Sequence, residues 1–250
     1  MPISIKDKVV VVTGGAGEIG SAISRRLVEE GAAVVMADIA DGRETAMSIK
    51  QAKRGNKVAF VNADVTSEKD MAKMAATALK NFGRIDALIN NAGLFTALPW
   101  DELTYDEWKK RMRVNVDGAF LATKAVVPAM REQGKGKIIN IGSDTVWMGT
   151  PGFAHYVTSK AAVLGLTRAL AHELGPQGIT TCYVTPTLLD TPGTRAAFPQ
   201  GHFDYVLSHT PIGKLETPED INGLMVFLCS DEADFINGAA INIGGGISMH

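Results

Sequence analysis

Apolar residues along this 250-residue chain follow two alternating patterns. Short continuous apolar runs predict strands that are buried on both faces of a sheet, and longer segments with apolar residues every three or four positions predict amphipathic helices. The short runs cover residues 9–12, 33–37, 58–62, 87–90, 138–141, 180–184 and 240–243. Strands that alternate with helices predict an α/β fold, a doubly wound parallel sheet of about seven strands with helices on both faces.

The composition is that of one large domain. The chain is 46% hydrophobic, and no Pro- or Ser-rich linker, low-complexity run or internal repeat interrupts the alternation of elements. An α/β chain of this length is routinely a single domain with one continuous core. We therefore predict a single domain over residues 1–250.

A glycine-rich turn follows the first predicted strand and precedes a predicted helix over residues 21–30. Residues 13–20 read Thr-Gly-Gly-Ala-Gly-Glu-Ile-Gly. Glycines let the backbone approach a phosphate group, and the free N–H groups and positive dipole of a helix start attract the pyrophosphate of a dinucleotide. The residues predicted to contact such a cofactor are Gly14, Gly17, Glu18, Ile19 and Gly20.

A carboxylate stands at the end of the second predicted strand. Asp38 is placed to accept hydrogen bonds from the hydroxyls of an adenosine ribose, and it would repel a 2′-phosphate. The next residues, Ile39 and Ala40, provide no cation to offset that repulsion. The pattern therefore favours NAD(H) over NADP(H). A solvated Asp that only closes a strand is the alternative interpretation.

Tyr156 and Lys160 are four residues apart in a predicted helix over residues 153–175, so their side chains leave the same face. A cation close to a phenol favours the phenolate, and such a pair can move a proton at ordinary pH. The same spacing is common on helix faces that have no function. The pair therefore indicates a proton-transfer site only in combination with the other motifs.

With these motifs in place, the chain resembles the short-chain dehydrogenase/reductase family from about Lys8 to the C-terminus. Further matches are Asn-Asn-Ala-Gly at residues 90–93, Asn115 within Val-Asn-Val-Asp-Gly, and Ser143 after the fifth predicted strand. The resemblance implies a Rossmann-type fold in which Tyr156 exchanges a proton with an alcohol or ketone oxygen as hydride moves to or from a nicotinamide. It also implies that Lys160 favours the phenolate and binds the nicotinamide ribose.

The resemblance implies two further catalytic side chains. Ser143 would hydrogen-bond the substrate oxygen, and Asn115 would support a water-linked proton path to Lys160. A polar residue that caps a strand end is the alternative for Ser143, and a buried amide that satisfies backbone groups is the alternative for Asn115. Both alternatives stay open at this stage.

More cofactor contacts follow from the resemblance. They lie at the ends of predicted strands, where Asn, Asp and Gly also favour turns without any ligand. Asn90 directly precedes three of them, in the Asn-Asn-Ala-Gly motif at residues 90–93. The implied contacts are Ile39, Asp64, Val65, Asn91, Ala92, Gly93, Pro186, Thr187 and Leu189.

Three positions depart from the family's usual pattern. Gly244 replaces an aspartate near the C-terminus, and the other two bear on the predicted cofactor site. Glu18 replaces a glycine of the phosphate turn; we expect its side chain to point to solvent and stabilise the first helical turn, with weakened cofactor binding as the alternative. Thr187 replaces the glycine of the usual Pro-Gly pair. Because threonine adopts positive φ less readily than glycine, we expect the backbone to run differently there, with Thr187 or Leu188 reaching the cofactor or substrate.

The predicted substrate site is apolar and partly aromatic. Its candidate residues are Phe95, Ser143, Trp147, Met148, His155, Leu188, Phe198 and Phe203, with a substrate loop over about residues 187–215. Aromatic side chains pack well against a flat ring, so we predict a hydrophobic or aryl-bearing secondary alcohol and its ketone. For His155 we favour packing or an indirect contact over a direct bond to the substrate.

Resemblance is greatest to family members that act on 1-phenylethanol-like alcohols or pyridoxal-like aromatics. The residues that carry it are 101–104, 108–110 and the C-terminal His250. A 3-oxoacyl thioester reductase that uses NADPH is a second possibility, which Asp38 disfavours. A catalytically silent, nucleotide-sensing protein of the same fold is a third, which the intact set of Asn115, Ser143, Tyr156 and Lys160 disfavours.

Charge and cysteine content exclude several other classes of partner. The net charge is −2 and no Lys/Arg cluster is present, which argues against nucleic acid or an anionic membrane as partner. No apolar run approaches the length of a membrane span, and the early charges of Lys6, Asp7 and Lys8 argue against a signal peptide. Cys182 and Cys229 have no metal-ligand spacing around them, so we expect two buried thiols, no metal and a cytoplasmic location.

The family resemblance also implies a homotetramer. We expect its contacts on two long helices, over residues 106–132 and 153–175. Besides other copies of the chain, the expected partner is a small-molecule alcohol or ketone substrate.

Overall fold

Seven parallel strands form one sheet in residues 3–249, which are the residues that the computed structural model describes; His250 lies outside them. The strand order is β3-β2-β1-β4-β5-β6-β7, so the predicted fold class is confirmed. The strands are β1 (Val9–Thr13), β2 (Ala33–Asp38), β3 (Lys57–Asn62), β4 (Ala87–Asn90), β5 (Gly136–Ile141), β6 (Ile179–Thr185) and β7 (Ala240–Asn242).

Helices cover both faces of this sheet. They are α1 (Glu18–Glu29), α2 (Arg43–Ala52), α3 (Glu68–Phe82), α4 (Tyr105–Met112), α5 (Gly118–Gln133), α6 (Thr145–Met148), α7 (Ala154–Leu174), α8 (Pro192–Ala197), α9 (Gln200–His209) and α10 (Pro218–Cys229). Capping residues determine where helices begin and end, as α3 illustrates. Ser67 caps α3 by accepting a hydrogen bond from Asp70 N, and Gly83 ends it with a φ of 79°.

The core lies on both faces of the central strand β1. Val10 and Val12 pack on one face, in the cluster that α1 and α10 cover, whereas Val9 and Val11 pack on the other, in the cluster that α3 and α5 cover. Successive side chains of a strand point to opposite faces, and here both faces are buried. This explains the continuous apolar run at the start of the sequence, because a strand with one face in water would alternate.

The strand order changes direction at β1, which pairs with β2 on one side and with β4 on the other. The connections after β1 and β4 therefore lead away from each other and leave a crevice at the carboxyl ends of these strands. In open α/β sheets, ligands bind in such a crevice. The glycine turn after β1 and the residues after β4 both lie at this edge.

The helix predicted over residues 106–132 is divided in the structure. α4 ends at Met112, a single π-helical turn covers Arg113–Asp117, and α5 begins at Gly118. The apolar spacing could not reveal this turn because it adds only one residue to the helical period. A π-turn inside a helix is frequently found at a functional site, and this one holds the buried Asn115.

Two other predictions concern the second long helix and the substrate loop. The helix predicted over residues 153–175 is α7, with its ends at Ala154 and Leu174. The predicted substrate loop is largely helical, since it contains α8 and α9. Within the described part of the chain, no helix combines the length and the apolarity that a membrane crossing requires.

Candidate active site

The glycine turn after β1 packs directly against the chain after β4. Gly14 has a φ of +63°, and a Cβ there would lie 2.9 Å from both Ala92 Cα and Asn91 Nδ2. A Cβ on Gly20 would lie 2.1 Å from the carbonyl oxygen of Gly14. The Thr13 hydroxyl accepts hydrogen bonds from Asn91 N at 3.1 Å and Ala92 N at 3.2 Å. Only glycine fits at residues 14 and 20, and the two segments form one rigid cradle.

Asp38 is held at the edge of this cradle. Its Oδ2 accepts a hydrogen bond from Ala16 N and its Oδ1 one from Ala40 N, both at 2.9 Å. A carboxylate has about four lone-pair sites, so each oxygen keeps a site for a further donor. Ile39 is 71% exposed beside it. The carboxylate is therefore fixed in place and still able to accept bonds from ribose hydroxyls.

Asp64 and Val65 follow β3 and are both half-buried. The Asp64 carboxylate accepts a hydrogen bond from Thr66 N at 2.8 Å, a local turn interaction of the kind left open above. Val65 packs against the start of α5, where a Cβ on Gly118 would lie 2.8 Å from Val65 Cγ2. Both residues follow the carboxyl end of β3, at the same edge of the sheet as the glycine turn.

Glu18 begins α1 and is exposed, as expected, but its carboxylate also has a partner that we did not expect. Oε1 and Oε2 lie 2.9 Å and 3.2 Å from Gly193 N in the first turn of α8. A Cβ on Gly193 would lie 2.9 Å from Glu18 Oε2. The structure therefore adds a contact with Gly193 to the expected exposure. Glu18 connects the glycine turn to the substrate loop, and no local sequence signal indicates a contact across 175 positions.

Tyr156 and Lys160 leave the same face of α7, with Lys160 Nζ 5.7 Å from the centroid of the Tyr156 ring. Lys160 is buried and donates a hydrogen bond to the carbonyl oxygen of Ile141 at 2.7 Å. Burial lowers the pKa of Lys160 to about 8. Burial also raises the pKa of Tyr156 to about 12, although a hydrogen bond with Ser143 opposes the rise. The sequence predicted a phenol biased toward the phenolate, and in this structure desolvation has the larger effect on the phenol.

Ser143 lies beside Tyr156 at the end of β5. It is buried, and its Oγ accepts hydrogen bonds from Thr145 N at 3.2 Å and from Thr145 Oγ1 at 2.9 Å. Because both of these bonds donate to the Ser143 oxygen, they leave the Ser143 proton to point elsewhere. A hydroxyl arranged in this way is suited to donate to an oxygen in the cavity next to Tyr156.

Asn115 lies on the other side of Lys160. Its Oδ1 accepts a hydrogen bond from Leu94 N at 2.8 Å, and its Nδ2 donates to Leu94 O at 3.1 Å and to Ser159 Oγ at 2.9 Å. A Cβ on Gly93 would lie 3.4 Å from Asn115 Oδ1 and 3.6 Å from Lys160 Nζ. The amide thus satisfies backbone groups, which is the structural alternative, while the π-turn also places it close to the ammonium.

One cavity brings half of the predicted residues together, and Asn115 is not among them. It lies at the carboxyl end of the sheet and is lined mainly by apolar side chains. The predicted residues that line it are Ile19, Asn91, Gly93, Phe95, Ser143, Met148, Tyr156, Lys160, Pro186, Thr187, Leu188, Leu189 and Phe198. The other predicted cofactor residues lie outside this cavity, in the turn after β1 and at the ends of β2, β3 and β4.

Comparison with known proteins decides the family. A family model described as enoyl-(acyl carrier protein) reductase matches residues 14–248 of the chain. The chain belongs to the short-chain dehydrogenase/reductase family. The resemblance and the Rossmann-type fold that it implied are thereby confirmed.

Relatives within this dehydrogenase/reductase family are similar along their whole length. Subunit BbsD of a hydroxy(phenyl)methylsuccinyl-CoA dehydrogenase from Thauera aromatica is 37% identical over 247 residues, which cover 99% of each chain. The cyclopentanol dehydrogenase of Comamonas testosteroni is 36% identical over 250 residues, covering 98% of this chain and 99% of its own. The crystal structure of levodione reductase has a TM-score of 0.91 at 29% identity and covers 96% of this chain and 97% of its own.

These comparisons fix the general class of reaction. The similar proteins are dehydrogenases and a reductase, and the chain is accordingly an oxidoreductase of this family. Dehydrogenases of the family use nicotinamide cofactors. Across residues 3–249, no group of three or more His, Cys, Asp and Glu side chains is arranged to hold a metal ion.

Three predicted substrate residues of this dehydrogenase/reductase do not line the cavity. His155 is fully buried, and its Nε2 lies 3.2 Å from Nη2 of the buried Arg111, which fits the indirect role that we favoured. Phe203 is 1% exposed and packs beneath the Arg195 guanidinium, 4.0 Å from the ring centroid. Trp147 is half-buried and packs on a small apolar cluster that includes Val163 and Leu164 of α7 and Tyr183 of β6. These three residues stay outside the pocket because each is one position along a helix from a residue that lines it, and neighbouring positions of a helix face different directions.

Four aromatic rings form the wall next to Tyr156, and two of them, Phe153 and His202, were not named among the predicted pocket residues. Phe153 and Tyr156 meet edge to face at 5.9 Å, and Phe198 lies 5.9 Å from Phe153 and 5.2 Å from the stacked ring of His202. Tyr205 also lines the cavity. The spacing of three residues between Phe153 and Tyr156 was a usable signal, since residues three apart at a helix start are neighbours. The position of His202 depends on how α9 folds back and had no such signal.

Proposed function

We propose that this protein is an NAD(H)-dependent oxidoreductase that interconverts a hydrophobic or aryl-bearing secondary alcohol and its ketone. The observation that carries the proposal is the cavity in which Ser143, Tyr156 and Lys160 meet a mainly apolar and aromatic wall. The residues of the crevice suit a nicotinamide dinucleotide, because the turn admits no Cβ at Gly14 or Gly20 and the start of α1 faces the same edge. The bound cofactor would supply or accept the hydride.

The side chains have separate tasks in this proposal. With its pKa raised to about 12, Tyr156 is protonated at neutral pH, and this form can donate a proton to the oxygen of a ketone that is being reduced. Ser143 hydrogen-bonds the same oxygen and orients it toward the phenol. Lys160, which lines the cavity and is held by Ile141 O, would favour the phenolate of Tyr156 and bind the nicotinamide ribose. Asn115, in the π-turn, would support a water-linked proton path to Lys160.

The preference for NAD(H) rests on the fixed carboxylate of Asp38. Its hydrogen bonds to Ala16 N and Ala40 N keep it from turning away from a 2′-phosphate. Arg43 is the first cation that follows in the sequence, and it pairs with Asp41 at 3.1 Å. A second phosphate at the ribose would therefore meet a fixed negative charge.

The substrate class follows from the cavity wall. Phe95, Phe153 and Phe198 form a cluster of rings with centroid separations of 5.9–6.2 Å, next to Met148. Such a wall binds a flat or ring-shaped apolar group through burial and ring packing. The names of the relatives agree with this class, since they refer to a phenyl-substituted acyl-CoA, cyclopentanol and levodione.

A 3-oxoacyl thioester reductase that uses NADPH is the second candidate. The description of the matching family model and the acyl-CoA substrate in one relative's name favour it. Asp38 argues against it through the cofactor. A catalytically silent protein is a weaker candidate, because Ser143, Tyr156 and Lys160 line one cavity.

Titration of the protein with NADH and NADPH, followed by reduction of aryl and alkyl ketones with the cofactor that binds, tests the proposal. We expect NADH to bind at least tenfold more tightly and an aryl ketone to be reduced. Asp38→Asn removes the charge and keeps the side-chain shape, so we expect it to improve NADPH binding about tenfold, equivalent to ~1.4 kcal/mol. A parent that prefers NADPH would support the thioester reductase, and a protein that binds neither cofactor would contradict both enzymatic candidates.

A further inference from the structure

Glu216 contacts both ends of a short stretch that forms one wall of the cavity. We call residues 187–190, which follow β6, the wall segment. Glu216 Oε2 accepts a hydrogen bond from Thr187 N at 2.7 Å, and Glu216 O accepts one from Asp190 N, also at 2.7 Å. Leu189 and Glu216 pair in an isolated parallel β-bridge. Glu216 therefore holds both ends of the stretch that places Thr187, Leu188 and Leu189 in the cavity, and Thr194 Oγ1 adds a bond to Leu189 O at 2.6 Å.

The surroundings of the Glu216 carboxyl are unusual for a residue with only a packing role. The residue is 6% exposed, and Oε1 has no hydrogen-bond partner among the described residues. The charged groups that face it are Asp144, Asp220 and Lys214, and Lys214 is already paired with Asp220. Burial raises the pKa of Glu216 to about 8, so the group is mostly an uncharged acid at neutral pH. A buried carboxyl with one unpaired oxygen is costly, which argues that its contact with Thr187 N has a use.

Thr187 extends this contact toward the reacting groups. Its hydroxyl hydrogen-bonds the Asp144 carboxyl and lowers the pKa of that group, against a larger effect of burial that raises it to about 6. Asp144 N donates to Pro186 O at 3.1 Å, and Asp144 directly follows Ser143. The threonine that stands in place of the usual glycine thus connects Glu216 to the residue beside Ser143.

We propose that Glu216 is a positioning residue, which holds the wall segment against the cavity through Thr187 N and, through the Thr187 hydroxyl, holds Asp144 beside Ser143. Its effect on turnover rests on the function proposed above. Its effect on the wall segment does not, so the two are measured separately.

Amide hydrogen exchange measures the first effect without any substrate. Glu216→Ala removes the acceptor of Thr187 N, and we expect exchange of that amide to rise at least tenfold, because the local structure then opens more easily. Glu216→Gln keeps an oxygen at the same place, and we expect exchange within about threefold of the parent. Glu219→Ala, an exposed acid on α10, is the matched control and should match the parent. Equal exchange in Glu216→Ala and the parent, or equal exchange in the Ala and Gln variants, would overturn the proposal.

Steady-state kinetics measures the second effect. We expect Glu216→Ala to raise KM for the ketone at least fivefold and Glu216→Gln to restore it to within about twofold of the parent. Thr187→Gly keeps the N–H but removes the hydroxyl, so we expect slow exchange at residue 187 together with a several-fold lower kcat. This variant keeps the proposal testable if Glu216→Ala does not fold, and an unchanged kcat would overturn the link to Asp144. A parent with no ketone turnover would contradict the proposed function alone, since exchange would still report on the wall segment.

Discussion

Tyr156 and Lys160 show how burial sets the protonation state of the proposed catalytic pair. Desolvation penalises the charged form of each group, so the pKa of the phenol rises to about 12 and that of the ammonium falls to about 8. Both shifts bring the pair closer to a neutral phenol and a neutral amine. In the proposed reaction the neutral phenol is the proton donor, and the lysine is close to its own titration range at neutral pH.

Glu216 makes a prediction about stability at the same scale. Its pKa rises from the usual 4.5 to about 8 on burial, so the folded chain holds a proton that the unfolded chain releases between those two pH values. The free energy of unfolding must therefore fall as pH rises through this window. Glu216→Gln cannot ionise and lacks this contribution, so we expect the parent to lose stability relative to the variant by a few kcal/mol, to order of magnitude, between pH 5 and pH 8.

Urea unfolding of both proteins at several pH values checks this expectation. Asp144 also titrates in the lower part of the window, from 3.8 to about 6, but it does so in both proteins and cancels in the comparison. A stability difference between parent and variant that does not change with pH would contradict a raised pKa for Glu216.

The residue types at the site could be predicted from sequence, but their contacts could not. The glycine turn, Asp38 and the Tyr156/Lys160 pair are local patterns, because each is defined by spacing along one element. The bond between Glu18 and Gly193 and the bond between Glu216 and Thr187 join distant parts of the chain. Such contacts depend on tertiary packing, and one sequence carries no local signal for them.

At the scale of elements, the tight approach of β1, α1 and β4 makes a prediction about the glycine turn. A Cβ on Gly20 would lie 2.1 Å from Gly14 O, whereas a Cβ on Gly17 would lie at 3.4 Å from the same atom. We expect Gly20→Ala to destabilise the fold by ~1–3 kcal/mol, as overpacking does, and Gly17→Ala by much less. Thermal unfolding of the two variants measures the difference. Equal unfolding midpoints for the two variants would contradict the prediction, because the turn would then accommodate a Cβ at residue 20.

The spacing of apolar residues predicted the strands well but missed some of the helical features. The strands were predictable because buried parallel strands are continuous apolar runs, and each predicted run overlaps an observed strand. The π-turn over Arg113–Asp117 was missed because one extra residue hardly alters the spacing of apolar positions. The helix α8 was missed because it has no large apolar side chain. The helix α9 was missed because its apolar side chains face the cavity and the protein surface as well as the core, which removes a clear helical pattern.

At the scale of the whole molecule, we propose a homotetramer. The ring of Phe120 on α5, 45% exposed, is a large apolar surface on the first of the two helical stretches expected to form contacts, and the ring of Tyr105 on α4, 73% exposed, immediately precedes that stretch. We expect sedimentation to give about four times the chain mass of 26.6 kDa. Sedimentation as a single 26.6 kDa species at micromolar concentration would contradict the proposal.

The central claim is that Tyr156 transfers the proton at the substrate oxygen, and the most direct test is the kcat of ketone reduction by Tyr156→Phe. The variant keeps the ring that packs against Phe153 and loses only the hydroxyl. We predict that kcat falls roughly a hundredfold or more while NADH affinity stays within about threefold of the parent. Turnover within threefold of the parent would contradict the account.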